Sequence, residues 1–168
     1  PDGNGMIRIR KGRDFRLIGA HVADSVVKSR GRGVIRMDKA QHIYRCGSGY
    51  MGRSSEIKLD FSRSPLELFA VFDQKQPSMK FSAPSKAGPG EHIEFNFLQM
   101  SAGRMIHLEV FDPSGKPMRS RNLVLNTAES KRLSFPFSYD DLPGIYRFRA
   151  VELLTGSACE QEIKLQQP

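Results

Sequence analysis

Arginines are concentrated in the first part of this 168-residue chain, and their side chains suggest a specific chemistry. Arg8 and Arg10 are two residues apart and would share one face of an extended strand, with Arg13 in the adjoining turn. Guanidinium groups bind phosphate, sulfate and carboxylate through paired hydrogen bonds. The candidate residues for an anion-binding surface are therefore Arg8, Arg10, Arg13, Arg16, Arg30 and Arg32, with Arg36 nearby.

The distribution of charge supports this focus on the first half. Residues 1–77 carry 15 Lys and Arg against 8 Asp and Glu, a net charge of +7, whereas residues 78–168 carry 11 against 10, a net charge of +1. A basic surface suits acidic polysaccharides or nucleic acids through counterion release. Single-stranded nucleic acids also need exposed aromatic side chains for stacking, and the basic segment offers only Phe15, which is expected in the core. Nucleic acid is therefore disfavoured, and solvated charge that protects a sheet edge is the simpler alternative.

Other residues with catalytic potential lack the spacing that catalysis needs. The four histidines show no metal-ligand spacing, and Gly47-Ser48-Gly49 is not a nucleophile motif. Asp140 and Asp141 could supply two carboxylates for glycoside hydrolysis, but adjacent aspartates before Leu142-Pro143-Gly144 more often cap a turn. We therefore expect no catalytic residue, metal or cofactor, and a hydrolase is the third alternative.

Aromatic composition argues against carbohydrate binding by stacking. The chain has no Trp and only four Tyr, of which Tyr146 is expected to be buried, leaving Tyr44, Tyr50 and Tyr139 for the surface. Most of the eleven Phe occupy positions expected to face inward. The aromatic side chains are those of a core.

The second half predicts a series of short strands. In His92–Phe97 and Met105–Phe111 apolar residues alternate with polar ones, which is the pattern of strands that cover a core on one side. Asp112-Pro113-Ser114-Gly115 and Thr155-Gly156 are turn sequences. Further strands are expected at Asn122–Leu125, Leu133–Phe137, Ile145–Leu153 and Ala158–Leu165.

The first half is also β-rich. Met6–Arg10 and Phe15–Ile18 flank a predicted hairpin turn, and Leu66, Leu68, Ala70 and Phe72 are expected to alternate inward on one strand. Val22–Ser29 is the one candidate for a short helix. Other expected strands are Val34–Met37, Ile43–Arg45 and Ile57–Phe61.

These patterns predict an all-β protein of two tandem β-sandwich-like units, residues 1–77 and 78–168. The polar segment Asp73–Pro77 is the expected boundary. No apolar run approaches the ~20 residues that span a bilayer, so membrane insertion is not expected. Pro1-Asp2-Gly3-Asn4 lacks an initiator Met, which suggests a piece of a longer protein, and the sequence leaves open whether the first unit is a complete domain. The sequence leaves open whether Cys46 and Cys159 pair.

The turns of the second half carry a resemblance to a known family. Pro89-Gly90 before a strand, Asp112-Pro113-Ser114-Gly115 in a turn, and Gly144-Ile145-Tyr146 at a late strand resemble macroglobulin-type immunoglobulin-like domains. The match covers most of residues 78–168. It implies an immunoglobulin-like second unit and says little about function.

A second resemblance concerns the first half. The segments His42–Arg45, Gly49–Arg53, Ile57–Phe61 and Pro65–Ala70 look like the β-rich C-terminal region of large bacterial glycoside hydrolases and related secreted proteins, although Arg45 stands where those sequences usually have Asp. The resemblance implies a non-catalytic accessory module of a secreted or extracytoplasmic protein. Its partners would be other domains of the parent protein or a separate protein, and an acidic polysaccharide is the alternative.

Overall fold

The computed structural model describes residues 5–22, 31–98 and 103–167. Within these ranges the chain forms thirteen strands and one short 3-10 turn at Arg119–Arg121, with no α-helix, so the all-β prediction is confirmed. Val22 belongs to a strand, and residues 23–29 of the suggested short helix lie outside the described residues, as does Arg30. No helix in the described ranges is long and apolar enough to cross a membrane.

The chain divides into two compact units. The first contains Pro1–Gln76 together with Leu154–Gly156, and the second contains Pro77–Leu153 together with Ser157–Pro168. The division along the main chain therefore falls between Gln76 and Pro77.

The described part of the first unit forms one five-stranded antiparallel sheet, in the order β1-β2-β5-β3-β4. A single sheet differs from the sandwich-like arrangement expected for this half. Its strands are β1 (Gly5–Lys11), β2 (Phe15–Val22), β3 (Arg32–Arg45), β4 (Gly49–Asp60) and β5 (Leu66–Phe72).

Strands β3 and β4 are much longer than the sequence predicts. The segments Val34–Met37 and Ile43–Arg45 belong to one strand because residues 38–42, although mostly polar, continue the extended backbone between them. The pairing of β3 with β4 shifts register between Arg36 and Gln41 and again between Ile43 and Tyr44. Such bulges bend a strand. Ile35 and Ile43, which lie on either side of the first shift, belong to the same buried cluster.

The core of the first unit lies on both faces of the sheet. The larger cluster includes Ile18, Ile57, Phe69 and Val71. A smaller cluster contains Tyr44, Ala70 and Phe72. The sequence leaves Tyr44 for the surface, but its side chain is buried. Its hydroxyl accepts a hydrogen bond from the Gln76 backbone amide at 2.8 Å.

The described part of the second unit contains two sheets, in the orders β10-β9-β12-β13-β7 and β11-β8-β6. The strands are β6 (Lys80–Ser82), β7 (Lys86–Ala87), β8 (His92–Leu98), β9 (Met105–Phe111), β10 (Leu123–Asn126), β11 (Arg132–Pro136), β12 (Gly144–Glu152) and β13 (Ala158–Leu165). Inward residues of both sheets, such as Phe95 and Leu108, belong to one buried cluster. The alternation predicted for β8 and β9 is therefore confirmed.

Local turn chemistry fixes the ends of these strands. The Gly115 amide donates to the Asp112 carbonyl oxygen at 2.9 Å, and Gly115 has φ +81°, which only glycine adopts readily. The hydroxyl of the buried Tyr146 donates to the Leu142 carbonyl oxygen at 3.0 Å. A tyrosine at the start of a strand that bonds back to the preceding turn is the corner arrangement found in many sandwiches.

Both cysteines are free thiols. Burial raises the pKa of the Cys159 thiol from 9.0 to about 11. The thiolate is the reactive form of cysteine. Because the folded pKa is raised, this thiol adds stability below pH 9, and the contribution is lost as the pH rises from about 9 towards 11.

We expect Cys159 to react about 100-fold more slowly with iodoacetamide at pH 8 in the folded protein than in the urea-unfolded chain, because a two-unit rise in pKa lowers the thiolate fraction by that factor. Mass spectrometry of the peptide carrying Cys159, in a Cys46→Ser variant, measures the rate. Equal rates in the two states would contradict the raised pKa.

Candidate functional site

The β1–β2 hairpin determines where the predicted arginines lie. Its register pairs Arg8 with Gly19 and Arg10 with Leu17. Alternate residues of a strand point to the same face, so Arg8 and Arg10 share one face of the sheet. Arg8 Nε also contacts the sulfur of Met6 on that face, at 3.0 Å.

This face carries an open groove of about 530 Å³ across β1, β2 and β5, which we call the Arg–Leu groove. Gly19 on β2 lies between Arg8 and Leu68. A Cβ atom at this position would come within 3.3 Å of the Leu68 side chain, so the glycine leaves the groove deeper than any other residue would. Apolar surface and two guanidinium groups thus lie side by side. The lining residues are Met6, Arg8, Arg10, Leu17, Gly19, His21, Leu66 and Leu68.

Leu66 and Leu68 correct an expectation from the sequence. They were predicted to face inward together with Ala70 and Phe72, but both leucines are exposed and line the Arg–Leu groove. Alternation correctly places these four residues on one face of β5. Only the end with Ala70 and Phe72 is covered by a core cluster.

Arg16 lies away from the groove. It is paired with Lys11 across the hairpin, and with Arg13 it lines a separate polar depression of about 510 Å³. There its guanidinium donates to Gln41 Oε1, and Gln41 Nε2 donates to Asp73 Oδ1 at 2.7 Å.

The polar depression also contains carboxylates that offset its cations. Lys39 Nζ lies 2.8 Å from Asp73 Oδ1, and its hydrogen bond is the main cause that lowers the pKa of the Asp73 carboxyl. Asp14 and Asp38 line the same depression. Acidic neighbours therefore compensate much of the positive charge of Arg13 and Arg16.

The remaining predicted arginines that the structure describes lie on β3. Arg32 is paired with Asp60, and it adds to the effect of the Ser62 hydrogen bonds that lower the pKa of that carboxyl. Arg36 Nε forms an exposed ion pair with Glu56 at 3.2 Å. The predicted set of arginines is thus not one cluster. Within the described residues, Arg8 and Arg10 line the Arg–Leu groove, whereas Arg13 and Arg16 line the polar depression together with Asp14, Asp38 and Asp73.

An ion pair that the sequence did not predict lies near the start of β5. Arg45 Nη2 is 3.1 Å from Glu67 Oε1, and the Glu67 side chain is only 7% exposed. The Arg45 guanidinium also lies over the Phe69 ring, 5.6 Å from its centroid. Arg45, which departs from the pattern of the resembling sequences, therefore neutralises a buried carboxylate. The one feature of the sequence that could have indicated this ion pair is Glu67, a glutamate within an otherwise apolar strand.

Asp140 and Asp141 organise a turn of the second unit. Asp141 accepts a hydrogen bond from the Ser138 amide at 2.8 Å and two from Arg121 Nη1 at 2.7 Å each. Asp140 accepts one from the Ser138 hydroxyl at 2.6 Å. These contacts hold the turn that precedes Leu142-Pro143-Gly144.

No group of three or more His, Cys, Asp or Glu side chains in the described ranges is arranged to hold a metal ion. His42 instead shares a hydrogen bond of 2.9 Å with the hydroxyl of the exposed Tyr50.

Comparison with known proteins yields no family. No family model and no curated protein matches the chain. Among solved structures, a superoxide reductase (neelaredoxin) from Ignicoccus hospitalis aligns over 54% of this chain and 81% of its own, with 14% identity and a TM-score of 0.36.

Two further solved structures align with more of the chain. A Parabacteroides merdae β-glucuronidase aligns over 90% of this chain and 27% of its own, with 7% identity and a TM-score of 0.40. Three N-terminal domains of the outer capsid protein Hoc of bacteriophage RB49 align over 98% and 59%, with 10% identity and a TM-score of 0.36. Similarities at this level assign neither a fold family nor an activity.

Proposed function

We propose that this chain is a non-catalytic interaction module, and that its Arg–Leu groove binds a protein segment carrying both carboxylates and apolar side chains. One observation carries the proposal: Arg8 and Arg10 lie beside exposed Met6, Leu66 and Leu68 in the same groove. Exposed apolar surface next to cations is typical of a protein-binding site. Two positive groups select an acidic partner.

The alternative is a polyanion-binding module for an acidic polysaccharide or, less favourably, nucleic acid. Such ligands need several cations along one path and gain little from leucine side chains. The ion pairs of Arg36 and Lys39, and the separation of Arg16 from Arg8, favour the protein segment.

The wider context of the proposal rests on the two resemblances. A two-sheet second unit with the Tyr146 corner supports an immunoglobulin-like assignment for that unit. The accessory role, the location outside the cytoplasm and a carbohydrate-active parent protein are supported by sequence resemblance alone. In that context the bound segment would belong to another domain of the parent protein or to a separate protein.

Replacing Arg8 and Arg10 with Ser is expected to weaken binding of a fluorescein-labelled peptide of alternating Glu and Val about tenfold, because each lost contact with a carboxylate costs under about 1 kcal/mol. Fluorescence anisotropy at ~0.15 M salt, near physiological ionic strength, measures the affinity. The matched control, Arg119→Ser with Arg132→Ser, removes the same charge from exposed positions of the second unit and should change affinity less than about twofold.

Heparin distinguishes the alternative. If the chain is a protein-interaction module, heparin should bind weakly, and the Arg8 and Arg10 variant and the Arg119 and Arg132 variant should reduce that binding equally. Heparin binding at ~0.15 M salt that exceeds peptide binding and is lost only in the Arg8 and Arg10 variant would establish the polyanion reading instead. Equal loss of peptide binding in both variants would overturn the proposed groove.

A further inference from the structure

Strand β1 forms an open edge of the first sheet. Within the described residues it pairs with β2 alone, and all seven of its residues are exposed. Edge strands are usually protected from further pairing by short length, bulges, prolines or charged side chains. The pairing of β1 with β2 is regular along its whole length, whereas the opposite edge strand, β4, has two register shifts in its pairing with β3.

The hydrogen bonds of the hairpin show which groups of β1 face the open edge. The Gly12 amide donates to the Phe15 carbonyl oxygen at 2.8 Å. Hydrogen-bonded and non-hydrogen-bonded pairs alternate along antiparallel strands, so Arg8 and Arg10 bond to β2. The backbone N–H and C=O groups of Ile7, Ile9 and Lys11 therefore point away from β2.

Two of these outward residues, Ile7 and Ile9, are unusual for an open edge, whereas Lys11 is a typical edge residue. Ile7 and Ile9 are paired with Ala20 and Ile18, which belong to the main core cluster, yet Ile7 is 54% and Ile9 is 56% exposed. Arg8, between them, points to the opposite face. β1 thus presents Ile7, Ile9 and the terminal Lys11 on its core face and Arg8 and Arg10 on its groove face, and all of these side chains are exposed in the part of the chain that the structure describes.

We propose that the partner binds as an additional strand along β1, as an extended segment in which acidic and apolar residues alternate. This inference rests on the proposed function and specifies its geometry. The partner's apolar side chains would cover Ile7 and Ile9, and its carboxylates would lie beside Arg8 and Arg10 on the groove face. Bonds to the free backbone groups supply affinity, and the alternation supplies selectivity.

Charge complementarity selects this occupant over a second copy of the chain. Antiparallel pairing of two β1 strands centred on Arg8 places Arg8 opposite Arg8, and pairing centred on Ile9 places Arg8 opposite Arg10. Like charges directly opposite each other destabilise a strand pair. A segment with carboxylates at those positions converts the same contacts into ion pairs.

Hydrogen exchange tests the geometry directly. On addition of the peptide of alternating Glu and Val described above, the amides of Ile7, Ile9 and Lys11 should become protected, while those of Arg8 and Arg10, already bonded to β2, should change little. A peptide of the same composition with its Glu residues grouped cannot place them on one face. It should bind at least about tenfold more weakly.

Two variants separate backbone from side-chain effects. Ile9→Pro removes the outward N–H, and edge strands tolerate proline at such positions; it should weaken peptide binding about tenfold. Ile9→Thr keeps that N–H and should retain most of the affinity. If Ile9→Pro fails to fold, the exchange pattern of the wild-type chain decides alone.

The outcomes distinguish the two proposals. Peptide binding that depends on Arg8 and Arg10 without protection at Ile7, Ile9 and Lys11 would overturn strand addition and leave the interaction module standing. Absence of binding by the alternating peptide would overturn both. Self-association through β1, seen as protection that rises with protein concentration, would overturn the choice of an acidic partner.

Discussion

Replacing Phe148 with alanine is expected to lower the free energy of unfolding by roughly 3–5 kcal/mol, the largest effect among single substitutions considered for this chain. Phe148 is fully buried on β12. Its ring centroid lies 5.0 Å from those of Phe95 and Phe135 and 6.3 Å from that of Phe137. Removing the ring leaves a cavity among side chains from both sheets of the second unit. The two sheets hold these neighbouring side chains in place, so they cannot move enough to fill the cavity.

Urea unfolding followed by far-UV circular dichroism measures this loss. Ile145→Ala is the matched control, because Ile145 lies on the same strand with its side chain exposed and should change stability by less than about 0.5 kcal/mol. Comparable losses in the two variants would contradict the placement of Phe148 at the centre of the core.

Replacing Asp141 with asparagine is expected to cost about 2 kcal/mol of stability, because it leaves the Arg121 guanidinium without its carboxylate. The Arg121 and Asp141 side chains are only 21% and 12% exposed. The cost stays below the ~3–5 kcal/mol of a fully buried pair because water still reaches Arg121. Arg121 also lies over the Phe135 ring, 4.4 Å from its centroid, so its displacement would disturb the core.

Asp140→Asn provides the comparison in the same turn. Asp140 is exposed and accepts a hydrogen bond from the Ser138 hydroxyl, so its replacement should cost less than about 0.5 kcal/mol. Thermal unfolding of the two variants and the wild type at pH 7 tests the difference. Equal stability of Asp141→Asn and the wild type would show that the Arg121 pair contributes nothing.

Where one face of a strand is apolar and the other polar, the sequence alone predicted the structure. His92–Phe97 and Met105–Phe111 have this pattern, and their apolar faces form the core of the second unit. Turn chemistry was equally local: Asp112 and Gly115 close a turn with a bond between their own backbones. Such features depend on residues close together in the chain, so they can be predicted without tertiary contacts.

Strand β5 shows where local pattern is insufficient. Both of its faces are largely apolar, with Leu66 and Leu68 on one and Phe69 and Val71 on the other. Alternation separates the two faces but does not choose between them. The choice depends on what packs against each face, and Glu67 could be buried only because Arg45, from β3, reaches it.

The candidate site illustrates both sides of this division. The sequence by itself determined that Arg8 and Arg10 share a face, because strand geometry requires it, and that the positive charge belongs to residues 1–77. Only the tertiary structure decided that Arg16 lies apart from them and that Leu66 and Leu68 join them. The physical reason is that hairpin register and strand order bring together side chains distant in sequence, and neither is encoded in the pattern of any single strand.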